Sequence, residues 1–124
     1  MKFHIFYRKS AGDVFEPREG VVLTLNKARR AFLTVENHEV TFKDLRLEAN
    51  YFKTTIQGQG AEGAELRVRV YNARNQKPLL YHHYVFDKKY PPRDQFAHGF
   101  TGLVYVFHPE SGAELRFSCS VGDQ

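Results

Sequence analysis

Hydrophobic and polar residues alternate along most of this chain, and the alternation is clearest between Phe100 and Val121. Leu115, Phe117, Cys119 and Val121 fall on one face of an extended segment, and the positions between them are polar. A period of two with aromatic and β-branched residues is typical of a β-strand. The segment therefore predicts a strand with one face buried.

The stretch before it, up to residue 107, is apolar on both faces. Leu103, Tyr105 and Phe107 lie on one side, and Val104 and Val106 on the other. The intervening residues 108–112 include a Pro and a Gly, which favour a turn. Because strands that are buried on both faces are apolar throughout, we predict that the first strand of this pair is central and the second partly solvated.

Seven further segments show strand-like alternation. They are Lys2–Arg8, Val21–Asn26, Lys27–Glu36, Glu39–Ala49, Tyr51–Gln57, Glu65–Tyr71 and Leu79–Asp87. The third also has apolar residues at helical spacing, but its Thr and Val residues and the following Asn37-His38 favour a strand and a hairpin turn. In the fourth, the apolar positions change phase near Lys43-Asp44, which predicts a β-bulge or a sharp bend. Asn50 marks a break before the fifth.

Eight or nine short strands with regular turn signals predict an all-β fold, an antiparallel β-sandwich with a β-barrel as the alternative. At 124 residues, the length fits a single domain spanning 1–124. Eleven Phe and seven Tyr, against one Met and no Trp, indicate a core filled largely by aromatic rings. No segment matches a family signature.

Cys119 is the only cysteine, so an intrachain disulfide is excluded. Its position on the apolar face predicts a buried hydrophobic side chain, not a nucleophile. The N-terminal residues alternate and carry charges where a signal peptide needs an apolar run, and no stretch is long enough for a bilayer. We therefore expect a cytoplasmic protein that does not contact membranes.

The six histidines lack metal-ligand spacing. His82 and His83 are adjacent, so in a strand they point to opposite faces. The chain also has no G-x-S-x-G elbow, and no helix follows the glycines at 58, 60 and 63 that superficially match a nucleotide-binding pattern. We expect no metal, no cofactor and no catalytic residue, and favour a protein that is not an enzyme.

Basic and aromatic residues share the outward faces of two predicted strands. Arg67, Arg69 and Tyr71 are one such group, and Tyr51 with Lys53 is another. Aromatic rings with nearby cations can bind single-stranded nucleic acid, but the same residues are ordinary on a solvated sheet where acids pair with them. The net charge of +4 is small and dispersed, so nucleic acid remains a secondary alternative.

The longest segment without periodicity is Lys88–Gly99. Long ordered loops are uncommon and often bind partners, so we select its Tyr90, Arg93, Phe96 and His98 as candidate binding residues. The alternative is a simple crossover between sheets, with Phe96 in the core.

Together these features predict a non-enzymatic binding or interaction module. Its partner would be another protein or a second copy, since exposed sheet edges offer free backbone groups and a dimer is the commonest assembly. Two alternatives remain open at this point. One is a single-stranded nucleic-acid-binding domain, and the other is a small-ligand carrier or enzyme in which His82, His83, Tyr105 or His108 converge in an aromatic pocket.

Overall fold

The structure is a computed structural model that describes residues 1–25, 35–56, 61–87, 91–95 and 97–121. In these ranges the chain forms eight strands and no helix. They are β1 (Lys2–Arg8), β2 (Glu16–Thr24), β3 (Val35–Thr41), β4 (Leu45–Ile56), β5 (Ala61–Asn72), β6 (Pro78–Asp87), β7 (Val104–Phe107) and β8 (Glu114–Ser120).

The strands form two antiparallel four-stranded sheets. Sheet I has the order β2-β1-β8-β7, and sheet II has the order β3-β4-β5-β6. None of the described strands belongs to both sheets, so the predicted sandwich is confirmed and the alternative barrel is not formed.

The core lies between the sheets and is built from the alternating positions of each strand. Phe3, Ile5 and Tyr7 from β1 and Leu115 and Phe117 from β8 are fully buried. They meet a layer of equally buried residues from sheet II, which includes Leu45, Leu47, Leu66, Val68 and Val70. Aromatic rings link the layers: Tyr7 stacks on Phe42 with centroids 4.5 Å apart, and His82 of β6 contacts Phe117 edge-on.

The predicted order of the last two strands is wrong. β8 is the inner strand, paired with both β1 and β7, whereas β7 is an edge strand of four residues. Tyr105 and Phe107 are apolar or aromatic, yet they lie exposed on the outer face of β7. Apolarity on both faces of a short segment therefore did not indicate burial on both faces.

Two predicted interruptions in sheet II are also wrong, because β3 runs through Asn37-His38 and β4 runs through Asn50. Asn37 and Asn50 lie opposite each other, and the Asn50 amide donates a hydrogen bond to the Asn37 side-chain oxygen. This cross-strand pair gives two turn-forming residues a role inside a sheet.

The change of phase near Lys43-Asp44 is a sharp bend between two strands, which is one of the two predicted alternatives, and not a bulge. The backbone N–H of Phe42 donates to the Leu45 carbonyl at 2.9 Å, which closes the β3–β4 hairpin. β2 also begins earlier than predicted, at Glu16, because its pairing with β1 continues past a register shift between Ile5 and Tyr7. Most of the ambiguous segment Lys27–Glu36 lies outside the described residues.

The connection from β6 to β7 carries the chain from sheet II to sheet I, which agrees with the crossover interpretation of this loop. Phe100, at its end, packs edge-on against Tyr84 and Phe86 of β6, with centroids 5.6 and 5.4 Å away. Gly99 bridges Cys119 of β8. Phe96, the predicted core residue of this loop, lies outside the described residues.

Candidate functional site

The outer face of sheet II brings together three of the predicted binding residues. Arg67, Arg69 and Tyr71 alternate along β5 and all point away from the core, as predicted. The prediction that Tyr51 lies outward with Lys53 is wrong, because Tyr51 is 3% exposed and belongs to the core. The neighbours of the three β5 residues on the outer face come from the adjacent strands: Arg46, Glu48, Asn50 and Phe52 from β4, and Tyr81 and His83 from β6. Each guanidinium covers a ring: Arg46 over Tyr71 at 4.2 Å, Arg69 over Tyr81 at 4.7 Å and Arg67 over Phe52 at 5.0 Å.

Carboxylates on this face balance its arginines. Arg69 lies 3.8 Å from a Glu48 oxygen, and Arg67 lies 3.6 Å from a Glu65 oxygen. Arg46 contacts Glu48 at 3.3 Å and also Glu39. Since acids accompany each of the three cations, the face has no concentrated positive charge of the kind that attracts a nucleic-acid backbone.

The two other described candidates, Arg93 and His98, are exposed in the crossover loop and far along the chain from β5. In the part of the chain that the structure describes, neither forms a hydrogen bond or an ion pair with Arg67, Arg69 or Tyr71. Tyr90 and Phe96 lie outside the described residues. Of the four candidates in this loop, the structure therefore describes two, Arg93 and His98, and both are exposed.

The histidines and Tyr105 that a ligand pocket would need do not come together. His82 faces the core and His83 the outer face of sheet II, whereas Tyr105 lies on the outer face of sheet I. His108 is buried, and its Nε2 lies 3.0 Å from the Asn72 side-chain oxygen. The backbone N–H groups of Glu110 and Ser111 donate to its Nδ1, so the ring carries its proton on Nε2 and serves the β7–β8 turn.

Cys119 confirms the prediction of a buried thiol. It is fully buried, and this burial raises the pKa of the thiol to about 12. A thiol that stays protonated at neutral pH is a poor nucleophile. Across the described residues, no group of three or more His, Cys, Asp or Glu side chains has the arrangement of a metal site.

On the outer face of sheet I, a buried carboxylate is neutralised by two arginines. Glu114 is 1% exposed; Arg8 Nε donates to its Oε1 at 2.8 Å, and Arg116 Nε donates to its Oε2 at 2.7 Å. Phe15 from the loop before β2 covers both guanidiniums, at 4.8 and 4.5 Å. Because both carboxylate oxygens already have partners, this cluster has a structural role.

The free edge of β6 is a second candidate binding feature, because its backbone has hydrogen-bonding groups without a strand partner. Among the described residues β6 pairs only with β5, so alternate backbone N–H and C=O groups on its other side lack a strand partner. Its outer face exposes Leu79, Tyr81 and Val85, at 36%, 51% and 59%. An edge strand with these properties is a template for another strand.

The other three edge strands each carry a feature that discourages pairing. β2 contains Pro17 and a register shift, β3 has the exposed Glu39, and β7 has only four residues. β6 also begins with a proline, Pro78, and has a register shift beside Leu79, but it has ten residues, and Leu79–Phe86 contains no Lys, Arg, Asp or Glu. Its register with β5 is regular from Leu80 to Asp87. Sequence analysis predicted this strand, as Leu79–Asp87, but not its free edge, because edge position depends on strand order.

Comparisons of the chain with protein-family models, with curated proteins and with solved structures gave no match. No helix among the described residues is long and apolar enough to cross a membrane. The geometry of the molecule itself is therefore the basis for a functional proposal.

Proposed function

We propose that this chain is a protein-interaction module that binds an extended segment along the free edge of β6. The bound segment becomes a fifth strand of sheet II. Its affinity comes from main-chain hydrogen bonds, and its specificity comes from side chains that contact the two faces of β6.

The observation that supports this proposal is the contrast among the four edges. Natural sheets protect their edges with charge, proline, bulges or shortness, and three edges of this sandwich follow that rule. In β6 the proline and the register shift are confined to Pro78 and Leu79, and from Leu80 to Phe86 the strand is regular and contains no Lys, Arg, Asp or Glu. Such an edge in a natural sequence favours a strand partner.

The nucleic-acid alternative has less support, because carboxylates accompany Arg67 and Arg69 on the face that would bind phosphates. The ligand-carrier alternative also has less support, because His82, His83, Tyr105 and His108 point in different directions.

Selection from a random peptide library displayed on phage tests the proposal. Enriched peptides should have alternating apolar residues, and their binding should slow amide exchange in Leu79–Phe86. The double variant Tyr81→Lys/Val85→Lys should weaken the binding of a synthetic enriched peptide at least about tenfold, because lysines on an edge strand oppose pairing. Both positions are exposed, so the fold should be retained.

Val22→Lys is the matched control, because Val22 is 51% exposed on a strand of the other sheet. It should leave peptide binding unchanged. The proposal would be wrong if no peptide is enriched, if the slowed amides lie outside β6, or if the double variant binds as well as the wild type.

A further inference from the structure

We infer that the outer face of sheet I binds an acidic side chain of a partner protein, and that Arg116 of β8 receives its carboxylate. This site is separate from the edge of β6, because β8 and β6 belong to different sheets. It is therefore a second interaction surface, and its test does not depend on the function proposed above.

The Arg116 side chain is held in position by its neighbours on this face. Its Nε donates to the buried Glu114 at 2.7 Å. Its Cζ lies 4.8 Å from the centroid of the Tyr105 ring and 4.5 Å from that of Phe15. In the strand register Tyr105 lies opposite it on β7, and Phe6 lies opposite it on β1. A guanidinium placed in this way loses little conformational freedom when it binds an anion.

The outer end of the Arg116 guanidinium has unused hydrogen-bonding capacity. Among the described residues its hydrogen bond uses Nε alone, so Nη1 and Nη2 have no protein partner there. Arg8 differs, because its Nη1 donates to the Ala11 carbonyl while its Nε and Nη2 both contact Glu114. The Arg116 side chain is 31% exposed, so solvent reaches it. The paired N–H groups of a guanidinium bind a carboxylate in a bidentate geometry.

The charge of this cluster favours a carboxylate as the bound group. Arg8 and Arg116 carry two positive charges and Glu114 carries one negative charge, which leaves a net charge of +1. On sheet II, by contrast, acids accompany each of the three arginines. One uncompensated cation matches a carboxylate, which is a monoanion, whereas a nucleic-acid backbone is bound by several cations together.

Exposed rings beside Arg116 indicate that the acidic residue belongs to a partly apolar segment of a protein. Tyr105 and Phe107 are both exposed on the outer face of β7, two residues apart. Phe107 lies opposite Glu114 in the register, next to the charged cluster. Aromatic rings with an arginine are enriched where proteins bind proteins. The expected ligand is therefore a Glu or Asp side chain flanked by bulky aliphatic residues.

NMR titration with small synthetic peptides tests the inference. Acetyl-Leu-Glu-Leu-amide should bind weakly but saturably and should shift the Arg116 Nε–H resonance and the amide resonances of β7. Acetyl-Leu-Gln-Leu-amide has the same shape without the charge, so it should bind at least about fivefold more weakly. Acetyl-Leu-phosphoserine-Leu-amide and a thymidine decanucleotide are the probes for the other classes of anionic ligand.

Two lysine variants test whether the guanidinium itself is needed. Arg116→Lys keeps a positive charge beside Glu114 but removes the planar pair of donors, so it should weaken binding of the Glu peptide about fivefold. Arg46→Lys is the matched control, because Arg46 also covers a ring, that of Tyr71 at 4.2 Å, but lies on sheet II beside Glu48. It should leave binding unchanged, and circular dichroism should show that both variants fold.

The inference would be overturned if the Glu peptide gives no saturable shift, if the Glu and Gln peptides bind equally, or if Arg116→Lys binds as well as the wild type. Tighter binding of the phosphoserine peptide or of the oligonucleotide would also overturn it, because the ligand would then belong to another class. None of these measurements involves β6. A failure here therefore leaves the proposed function unchanged, and a failure of peptide selection at β6 leaves this inference unchanged.

Discussion

The buried carboxylate of Glu114 is expected to be a major source of stability in sheet I. Glu114 lies on β8 between Arg8 and Arg116, and each arginine binds a different carboxylate oxygen. Replacing it with Gln keeps the shape and the packing under Phe15. However, it removes the charge and turns one acceptor into an NH2 group that faces a guanidinium.

The size of the expected loss in stability follows from how deeply Glu114 and its two arginines are buried. Breaking a fully buried ion pair by removing one partner costs about 3–5 kcal/mol. Here Glu114 is 1% exposed, but the Arg8 and Arg116 side chains are 20% and 31% exposed, so water can partly solvate them. We therefore expect Glu114→Gln to lower the free energy of unfolding by about 2–3 kcal/mol at pH 7.

The effect should depend on pH in a defined direction. Burial alone would raise the pKa of Glu114, but the hydrogen bonds and charges of Arg116 and Arg8 outweigh it and lower the pKa. A carboxylate with a lowered folded-state pKa stabilises the fold above its unfolded pKa of about 4.3, and this contribution is lost as pH falls through the folded pKa. The difference between wild type and variant should therefore shrink below about pH 4.

Urea unfolding at pH 7 and at a series of lower pH values measures this difference. Glu39→Gln is the matched control, because it removes the same charge from a side chain that is 53% exposed and 3.6 Å from Arg46. It should change stability by less than about 0.5 kcal/mol. The reasoning is refuted if the two variants are equally stable at pH 7, or if the Glu114→Gln deficit does not change with pH.

Three further outcomes are expected from other parts of the core. Gly99→Ala should destabilise the fold by about 2–4 kcal/mol, because φ is +70° and an added Cβ would overlap the Cys119 carbonyl. Gly102→Ala is the control: Gly102 has the same φ but open space around it, so this variant should cost about 1 kcal/mol. Thermal unfolding of both variants measures the difference. The Cys119 thiol, with its pKa raised to about 12 by burial, should react with a thiol reagent at neutral pH only as fast as the chain opens, and labelling with and without urea measures this. Asn72→Ala should lower the free energy of unfolding by about 1–3 kcal/mol, because it removes the side-chain oxygen that accepts hydrogen bonds from His108 and from the Arg74 backbone. Asn75→Ala, in the exposed part of the same turn, is the control and should lower it by less than about 1 kcal/mol. Urea unfolding measures both.

The alternation of apolar and polar residues was sufficient to predict a strand where one of its faces is buried against a continuous core. The bounds of β1 were predicted correctly, and so were the inward faces of β5 and β8. In these strands every second residue is apolar, so a slip of one residue would expose the entire buried set. The faces shared by Arg67, Arg69 and Tyr71, and the opposite directions of His82 and His83, follow from the same periodicity.

Pattern failed where burial depends on elements distant in sequence. Glu114 has the outward parity of β8, yet it is 1% exposed because Arg8, Arg116 and the ring of Phe15 surround it. Phe107 is the opposite case: it is large and apolar but 58% exposed, because it lies on the outer face of β7, the edge strand of sheet I. Neither environment can be read from residues nearby in the chain.

The candidate site belongs to this second class. Leu79–Phe86 reads as an apolar strand whether it lies in the middle of a sheet or at its end, so its alternation predicts the strand and not its free side. Only the order β3-β4-β5-β6 shows that the chain leaves the sheet at β6 and returns in the other sheet as β7. The absence of Lys, Arg, Asp and Glu from Leu80 to Phe86 is then significant. An uncharged central strand is ordinary, whereas an uncharged edge in regular register over these residues can pair with another strand. Function in this molecule is thus argued from topology combined with the sequence of one strand.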